Sequence, residues 1–181
     1  MVVSNSRNAC NKYQMKRLCI LIAILLYWTY SNAADAIKPI QSNYLVFSNA
    51  EFSVSYPTNW VVKTDEISKL LRVGAPSGDA NVQIQVLYTT DSLENSVASA
   101  KASFLQIQFK LTRDEKYTFN KLPAHLFEGT LPPSSGVTAQ VVNILAYTKK
   151  KTYLIALTAA SDKLWLYQPD MAKITSSIIL R

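Results

Sequence analysis

The feature that most constrains the fold is a series of short apolar patterns with a period of two residues, which fills much of the chain after residue 43. In the clearest of them, over 82–88, apolar residues alternate with Gln83 and Gln85, as is typical of a β-strand with one buried face. Similar patterns predict strands over 45–47, 52–56, 60–62, 70–73, 117–119, 123–131, 137–147 and 152–159. Turns are predicted at 132–136 and 149–151. Because the strands follow one another in runs, the sequence predicts an α+β fold with a central antiparallel β-sheet packed between helices.

Two segments have the three- and four-residue spacing of a helix instead. Asp91 begins a sequence with the form of a capping box, which predicts the start of the first helix there. An apolar stripe of about five turns follows, formed by Leu93, Val97, Ala100, Phe104, Ile107 and Leu111. Near the end of the chain, Pro169 interrupts a second apolar pattern and predicts a helix over about 169–179. Trp165, just before that helix, is expected in the core.

The beginning of the chain has the pattern of a secretory signal. The positive pair Lys16-Arg17 precedes an apolar run over 18–30, and small residues suited to a signal peptidase follow at 31–33. At roughly 1.5 Å per residue, a run of this length is too short to cross a hydrocarbon core of about 30 Å. The pattern therefore predicts a protein exported by a signal peptide over about 15–33, to the periplasm or outside the cell, with an uncleaved anchor as the alternative.

Three segments are expected along the chain. They are an N-terminal extension with the signal peptide over 1–33, a flexible lead-in over 34–43, and one α+β domain over 44–181. Since the first fourteen residues are polar, either Met1 or Met15 could be the start.

The leader also accounts for features that could be mistaken for function. Both cysteines, Cys10 and Cys19, lie in it, so the domain would have neither disulfides nor thiol chemistry. Four of the nineteen basic residues lie there too, whereas all twelve acidic residues follow it. The remaining fifteen bases against twelve acids leave a net charge of +3, which gives no reason to expect nucleic-acid binding.

Over 44–180 the chain resembles the PsbP-like superfamily, which includes PsbP, DcrB and Mog-type proteins. Residues 52–60 match the F-x-x-x-Y-P-x-x-W opening of that family, and 92–94 match the S-L-E start of its long helix. The hairpin over 137–159 and the segment 171–178 resemble its closing strands and tail. The resemblance implies a PsbP-like α/β/α sandwich and small accessory or adaptor roles without a common active site.

Few residues suited to catalysis or metal binding are present. His125 is the one histidine of the chain, and no G-x-S-x-G sequence supplies a nucleophile for it. The neighbours Asp114 and Glu115 would point to opposite faces of a strand, so they would not form a chelate. We therefore predict no catalytic, cofactor-binding or metal-binding residues and no cofactor. A small hydrolase-type enzyme using His125 is one alternative, and a small-molecule or lipid carrier is another.

The densest charge after the leader is Lys149-Lys150-Lys151. It predicts a solvated hairpin tip or, in a functional interpretation, a contact for an acidic partner or a lipid headgroup. Tyr56 and Trp60 could add an aromatic contact surface, but their pattern favours two large rings that plug one end of the sandwich. We predict a monomeric, non-enzymatic, exported accessory or adaptor protein that binds another protein or an envelope component. Peripheral membrane association is left open, and no nucleic acid is expected.

Overall fold

The computed structural model describes residues 44–89, 91–134 and 136–181. The predicted signal peptide over 15–33 and the lead-in over 34–43 lie outside the described residues. The ten strands in the described part are β1 Tyr44–Ser48, β2 Phe52–Pro57, β3 Val61–Asp65, β4 Leu70–Gly74, β5 Ala80–Tyr88, β6 Lys110–Phe119, β7 Leu122–Ser134, β8 Val137–Tyr147, β9 Lys151–Ala160 and β10 Ile179–Leu180. Its two helices are α1 Leu93–Gln106 and α2 Leu164–Ser177.

The strands form two antiparallel sheets. The larger sheet has seven strands in the order β3-β4-β5-β9-β8-β7-β6, and the smaller has the order β1-β2-β10. All pairings are antiparallel. Helix α1 packs on β7 and β8, whereas α2 packs on β5, β9 and β2. The prediction of an α+β fold with a central antiparallel sheet between helices is confirmed.

Each face of the large sheet has its own core. On the α2 side, Ile84 of β5 and Ile155 of β9 are fully buried with Val54 of the small sheet and Ile174 of α2. On the α1 side, the core contains Phe104 and Phe127, whose rings lie 5.0 Å apart in a T-shaped arrangement. The strict alternation of strand side chains separates the two cores.

Helix α1 begins one residue later and ends earlier than the sequence predicts. Its N-cap is Ser92, whose hydroxyl accepts a hydrogen bond from the Asn95 amide at 3.2 Å, so the prediction of Asp91 is wrong by one position. The helix ends at Gln106, and Gln108 has a φ of +55°, a left-handed conformation that does not continue a helix. Leu111, expected in the helical stripe, consequently lies in β6.

Helix α2 spans Leu164–Ser177 and contains Pro169, so the predicted restart at Pro169 is wrong. The helix continues because residues on both sides of the proline, the partly buried Tyr167 and the buried Met171, pack on the α2-side core. Trp165, expected in the core, is 74% exposed, and its indole N–H donates to the Asp162 carbonyl at 3.2 Å.

The two strands at one edge of the large sheet, β7 and β6, are longer than predicted. Strand β6 has ten residues, most of them charged or polar, which its sequence pattern alone does not mark as a strand. Strand β7 continues through Pro132 and Pro133 to Ser134, with irregular pairing to β8 after Leu131. The predicted turn at 132–136 therefore begins too early. The irregular pairing accommodates prolines, which have no N–H for a ladder hydrogen bond.

Candidate partner-binding surface

The tip of the β8–β9 hairpin is a tight turn that holds its lysines in a fixed position. The Thr148 amide donates to the Lys151 carbonyl at 2.8 Å, and the Thr148 hydroxyl accepts from the Lys151 amide at 3.0 Å. The Lys150 carbonyl also accepts from the Thr89 amide of the neighbouring chain segment at 3.3 Å. Lys149 and Lys150 are exposed on this turn, and Lys151 is the first residue of β9. The structure thus places the three predicted lysines at a hairpin, but not in equivalent environments.

Lys151 is neutralised within the molecule. Its ammonium group donates to Glu51, and the Tyr88 hydroxyl donates to the other carboxylate oxygen of Glu51 at 2.6 Å. The hydrogen bond from Lys151, and then that from Tyr88, lowers the pKa of Glu51. The same bond to Glu51 raises the pKa of Lys151. Lys151 therefore has a structural role beneath the hairpin tip.

Arg181 lies beside this ion pair and connects it to the small sheet. Its amide donates to the Glu51 carbonyl at 2.8 Å, and its own carbonyl accepts from the Tyr153 hydroxyl and from Lys151. The Arg181 guanidinium donates to the Ser48 hydroxyl at 3.1 Å. These bonds connect the base of the β8–β9 hairpin to the β1–β2 connection and so hold the hairpin in place.

Lys149, Lys150 and Tyr88 together form what we call the hairpin surface. Tyr88 is 58% exposed and is paired with Lys151 across β5 and β9. Among the described residues, no carboxylate lies within 4 Å of the ammonium group of Lys149 or Lys150. The sequence did not point to Tyr88, because its place beside the lysines depends on the pairing of two strands distant in the chain.

Tyr56 and Trp60, the predicted aromatic contacts, do not belong to this surface. Trp60 is only 5% exposed, and its ring meets that of Tyr167 in a T-shaped arrangement with centroids 6.2 Å apart. Tyr56 is half-buried against the α2-side core. Both residues therefore close the sandwich between α2 and the sheets, and little of the Trp60 ring is left at the surface for a partner.

His125 forms a polar cluster on the α1 side of the sheet. Its Nε2 lies 2.6 Å from Asp114 of β6, and the other carboxylate oxygen of Asp114 lies 2.6 Å from the ammonium group of Lys101 on α1. Lys101, and then His125, lowers the pKa of Asp114. Glu115 points to the opposite face toward Arg113, as predicted. In the described part of the chain, no serine is hydrogen-bonded to His125, so the cluster ties α1 to β6 and β7 without a nucleophile.

Over 44–89, 91–134 and 136–181, no three His, Cys, Asp or Glu side chains are close enough to hold a metal ion. None of the helices in these ranges has the length and apolar character needed to span a membrane.

Comparison with solved structures identifies the architecture. The solution structure of cyanobacterial PsbP from Synechocystis superposes with a TM-score of 0.60 over 82% of this chain and 98% of that one. The chain has the PsbP fold. The predicted resemblance to PsbP-like proteins is thereby confirmed for the fold, and at 12% identity for the fold alone.

Two further structures share this fold. The protein of unknown function PA94 from Pseudomonas aeruginosa has a TM-score of 0.52 at 13% identity, over 76% of this chain and 97% of its own. A protein from Bacteroides thetaiotaomicron has a TM-score of 0.53 at 11% identity, over 78% of this chain but only 49% of its own length. No family model and no curated protein matches the sequence.

Proposed function

We propose that this protein is an exported, non-enzymatic accessory protein that binds an acidic site on a partner protein through the hairpin surface. The observation that carries the proposal is the pair Lys149 and Lys150, exposed on a hydrogen-bonded turn with no carboxylate nearby among the described residues. Lys151, next in the chain, has its charge neutralised by Glu51. Within the described residues, two of these three adjacent charges are therefore unpaired at the surface.

A fixed turn is a favourable way to present these charges. Because the Thr148–Lys151 turn and its bond to Thr89 are already formed, binding does not have to order the backbone. Exposed charges at an interface mainly raise the association rate and make it depend on salt. Tyr88 supplies an adjacent aromatic ring with a polar end, the kind of side chain enriched in protein interfaces.

The non-enzymatic part of the proposal is supported by the His125 cluster. The carboxylate that orients the histidine is also bonded to Lys101, and the cluster holds a helix to the sheet. The shared fold with PsbP is compatible with an accessory role, but a fold alone does not determine a function.

Quantitative affinity capture from envelope extracts tests the hairpin surface. The variant Lys149→Ser/Lys150→Ser removes both free charges and leaves the Lys151–Glu51 pair intact. The matched control Lys110→Ser/Lys116→Ser removes two exposed charges from β6, at the far edge of the sheet. We expect a partner protein that is captured by the wild type and the control but about tenfold less by the hairpin variant, equivalent to about 1.4 kcal/mol. Equal capture by both variants would exclude the hairpin surface, and capture of anionic lipid alone would favour an envelope component.

Export needs its own test. We expect protein isolated from the cell envelope or the medium to begin at or near Ala34 when its intact mass is measured. A mass that retains 15–33 in the membrane fraction would favour the uncleaved anchor. Protein found only inside the cell would contradict export.

A further inference from the structure

A polar row crosses the α1-side face of the large sheet at the end away from α1. The strand register places Lys63 of β3, Arg72 of β4 and Gln83 of β5 side by side. The same row of paired residues crosses the sheet and reaches Phe127, which lies under α1. Helix α1 packs on β7 and β8, and β8 lies three strand spacings from β4, about 14 Å. Arg72 therefore occupies a part of this face that the helix does not reach.

The Arg72 guanidinium is a half-buried charge without a counter-ion. Burial lowers its pKa, because desolvation disfavours the charged form. Within the described residues, no carboxylate lies within 4 Å of it. A partly buried, unpaired charge is costly, so it is seldom found where it has no role.

The buried amide of Gln83 fixes one edge of this guanidinium. With its carboxamide oxygen turned toward Arg72, Gln83 accepts from Nη2 at 2.9 Å and from Nε at 3.0 Å. The Asn81 side chain lies 3.0 Å from the same Gln83 atom, and the exposed fractions of Gln83 and Asn81 are only 3% and 7%. A neutral amide orients the guanidinium but does not balance its charge. Because Gln83 accepts on the Nε–Nη2 edge, it leaves Nη1 and the second N–H of Nη2 without a bond to it.

The neighbouring charges on this face do not compensate Arg72. Its direct cross-strand neighbour, Lys63, carries the same sign and so cannot serve as its counter-ion. Asp65, two residues further along β3, accepts from the Ile67 and Ser68 amides at 2.9 and 3.3 Å and so belongs to its own turn. An oxyanion would supply the negative charge that Arg72 lacks among the described residues.

We propose that Arg72, positioned by Gln83, is the anchor of a site for a small molecule that bears a carboxylate or a phosphate. The Nη1 and Nη2 groups donate in parallel to two oxygens of the anion, the geometry that favours arginine over lysine. This inference is independent of the hairpin surface, which lies on another part of the molecule, so either can fail alone.

Thermal unfolding in three buffers of equal ionic strength, containing chloride, succinate or inorganic phosphate, tests the site. For the wild type, we expect one of the two oxyanions to raise Tm by about 4 °C at a concentration about tenfold above Kd. Arg72→Met should lose this shift, whatever its Tm in chloride, because it removes the guanidinium that binds the anion and also the hydrogen bonds that Gln83 accepts. Arg72→Lys should keep less than half of the shift, because it lacks the planar fork.

Arg113→Met is the matched control, since Arg113 is an exposed arginine 2.5 Å from Glu115, and it should respond to the anions as the wild type does. A shift with succinate alone assigns a carboxylate, and one with phosphate alone assigns a phosphoryl group. No shift in the wild type, or equal shifts in the wild type and Arg72→Met, would overturn the proposal. If Arg72→Met does not fold, the Arg72 Nε–Hε NMR signal of the wild type decides, because it must move on addition of succinate or phosphate and stay fixed in chloride.

Discussion

At the scale of single residues, ion pairing within the domain engages one lysine of the hairpin, Lys151. The sequence predicts a basic tip over 149–151, but it does not reveal that Glu51, one hundred positions away from Lys151, neutralises the third lysine. The same limit applies to Arg72. Its lack of a counter-ion among the described residues depends on which side chains three separate strands place on one face of the sheet. Charge patterns in the sequence locate candidates, and only the tertiary structure separates paired from unpaired ones.

Glu51→Gln should lower the free energy of unfolding by about 1–2 kcal/mol at pH 7, because Lys151 loses its ionised partner. The pKa of Glu51 is lowered in the folded state from its ordinary value of 4.5. Its contribution is therefore fully present above pH 4.5 and is lost as the pH falls below that value. Urea unfolding at pH 7 and pH 3 should show a difference between wild type and variant at pH 7 that shrinks at pH 3.

The matched control for that prediction is Glu66→Gln, whose carboxylate is exposed and lies 3.6 Å from Lys69. We expect this substitution to change stability by less than about 0.5 kcal/mol at either pH. A difference between Glu51→Gln and the wild type that is as large at pH 3 as at pH 7 would show that the carboxylate charge is not responsible.

At the scale of elements, the period-two patterns predict most strands well because they record burial of one face. They predict only the last three residues of β6, which is an exposed edge strand with little apolar alternation and is formed through its pairing with β7. The helical spacing likewise extends past the end of α1 to Leu111, since apolar periodicity does not detect the left-handed residue Gln108 that turns the chain. The local apolar pattern therefore predicts which elements form, whereas the backbone conformation of single residues determines where a helix or strand ends.

Ser92→Ala should destabilise the domain by about 1 kcal/mol, because it removes the hydroxyl that caps the Asn95 amide. Asp91→Ala, one residue earlier and exposed, should cost much less, in contrast to the expectation from the capping-box pattern. Chemical denaturation of the two variants compares them directly. A larger loss for Asp91→Ala would mean that the helix begins where the sequence pattern predicts.

Gly129→Ala tests the close approach between β7 and the start of β6. A Cβ at this position would overlap the Lys110 carbonyl oxygen and lie 2.7 Å from Cζ of Phe109. We expect a loss of about 3 kcal/mol, because backbone and a packed aromatic ring would have to move. Gly78→Ala has open space around its Cβ and a φ of +79°, so it should cost only about 1 kcal/mol, and thermal unfolding of both variants ranks them. Equal losses would contradict the close packing at Gly129.

At the scale of the whole molecule, the large sheet separates two different environments. Its α2 side is apolar and closes against the small sheet, whereas its α1 side combines an apolar half under the helix with the polar row around Arg72. The order of predicted elements and the resemblance to PsbP-like proteins sufficed for this fold class. The division of one face into apolar and polar halves was not predictable, because it depends on strand order and register.

The hairpin surface is the central claim at this scale, and photo-cross-linking in intact cells tests it most directly. A photoreactive residue at position 149 should give a discrete cross-linked product with a partner protein, whereas the same residue at position 110, on the far edge strand, should not. The product should diminish when Lys150 is changed to Ser. An identical product from both positions, or none from position 149, would contradict the account.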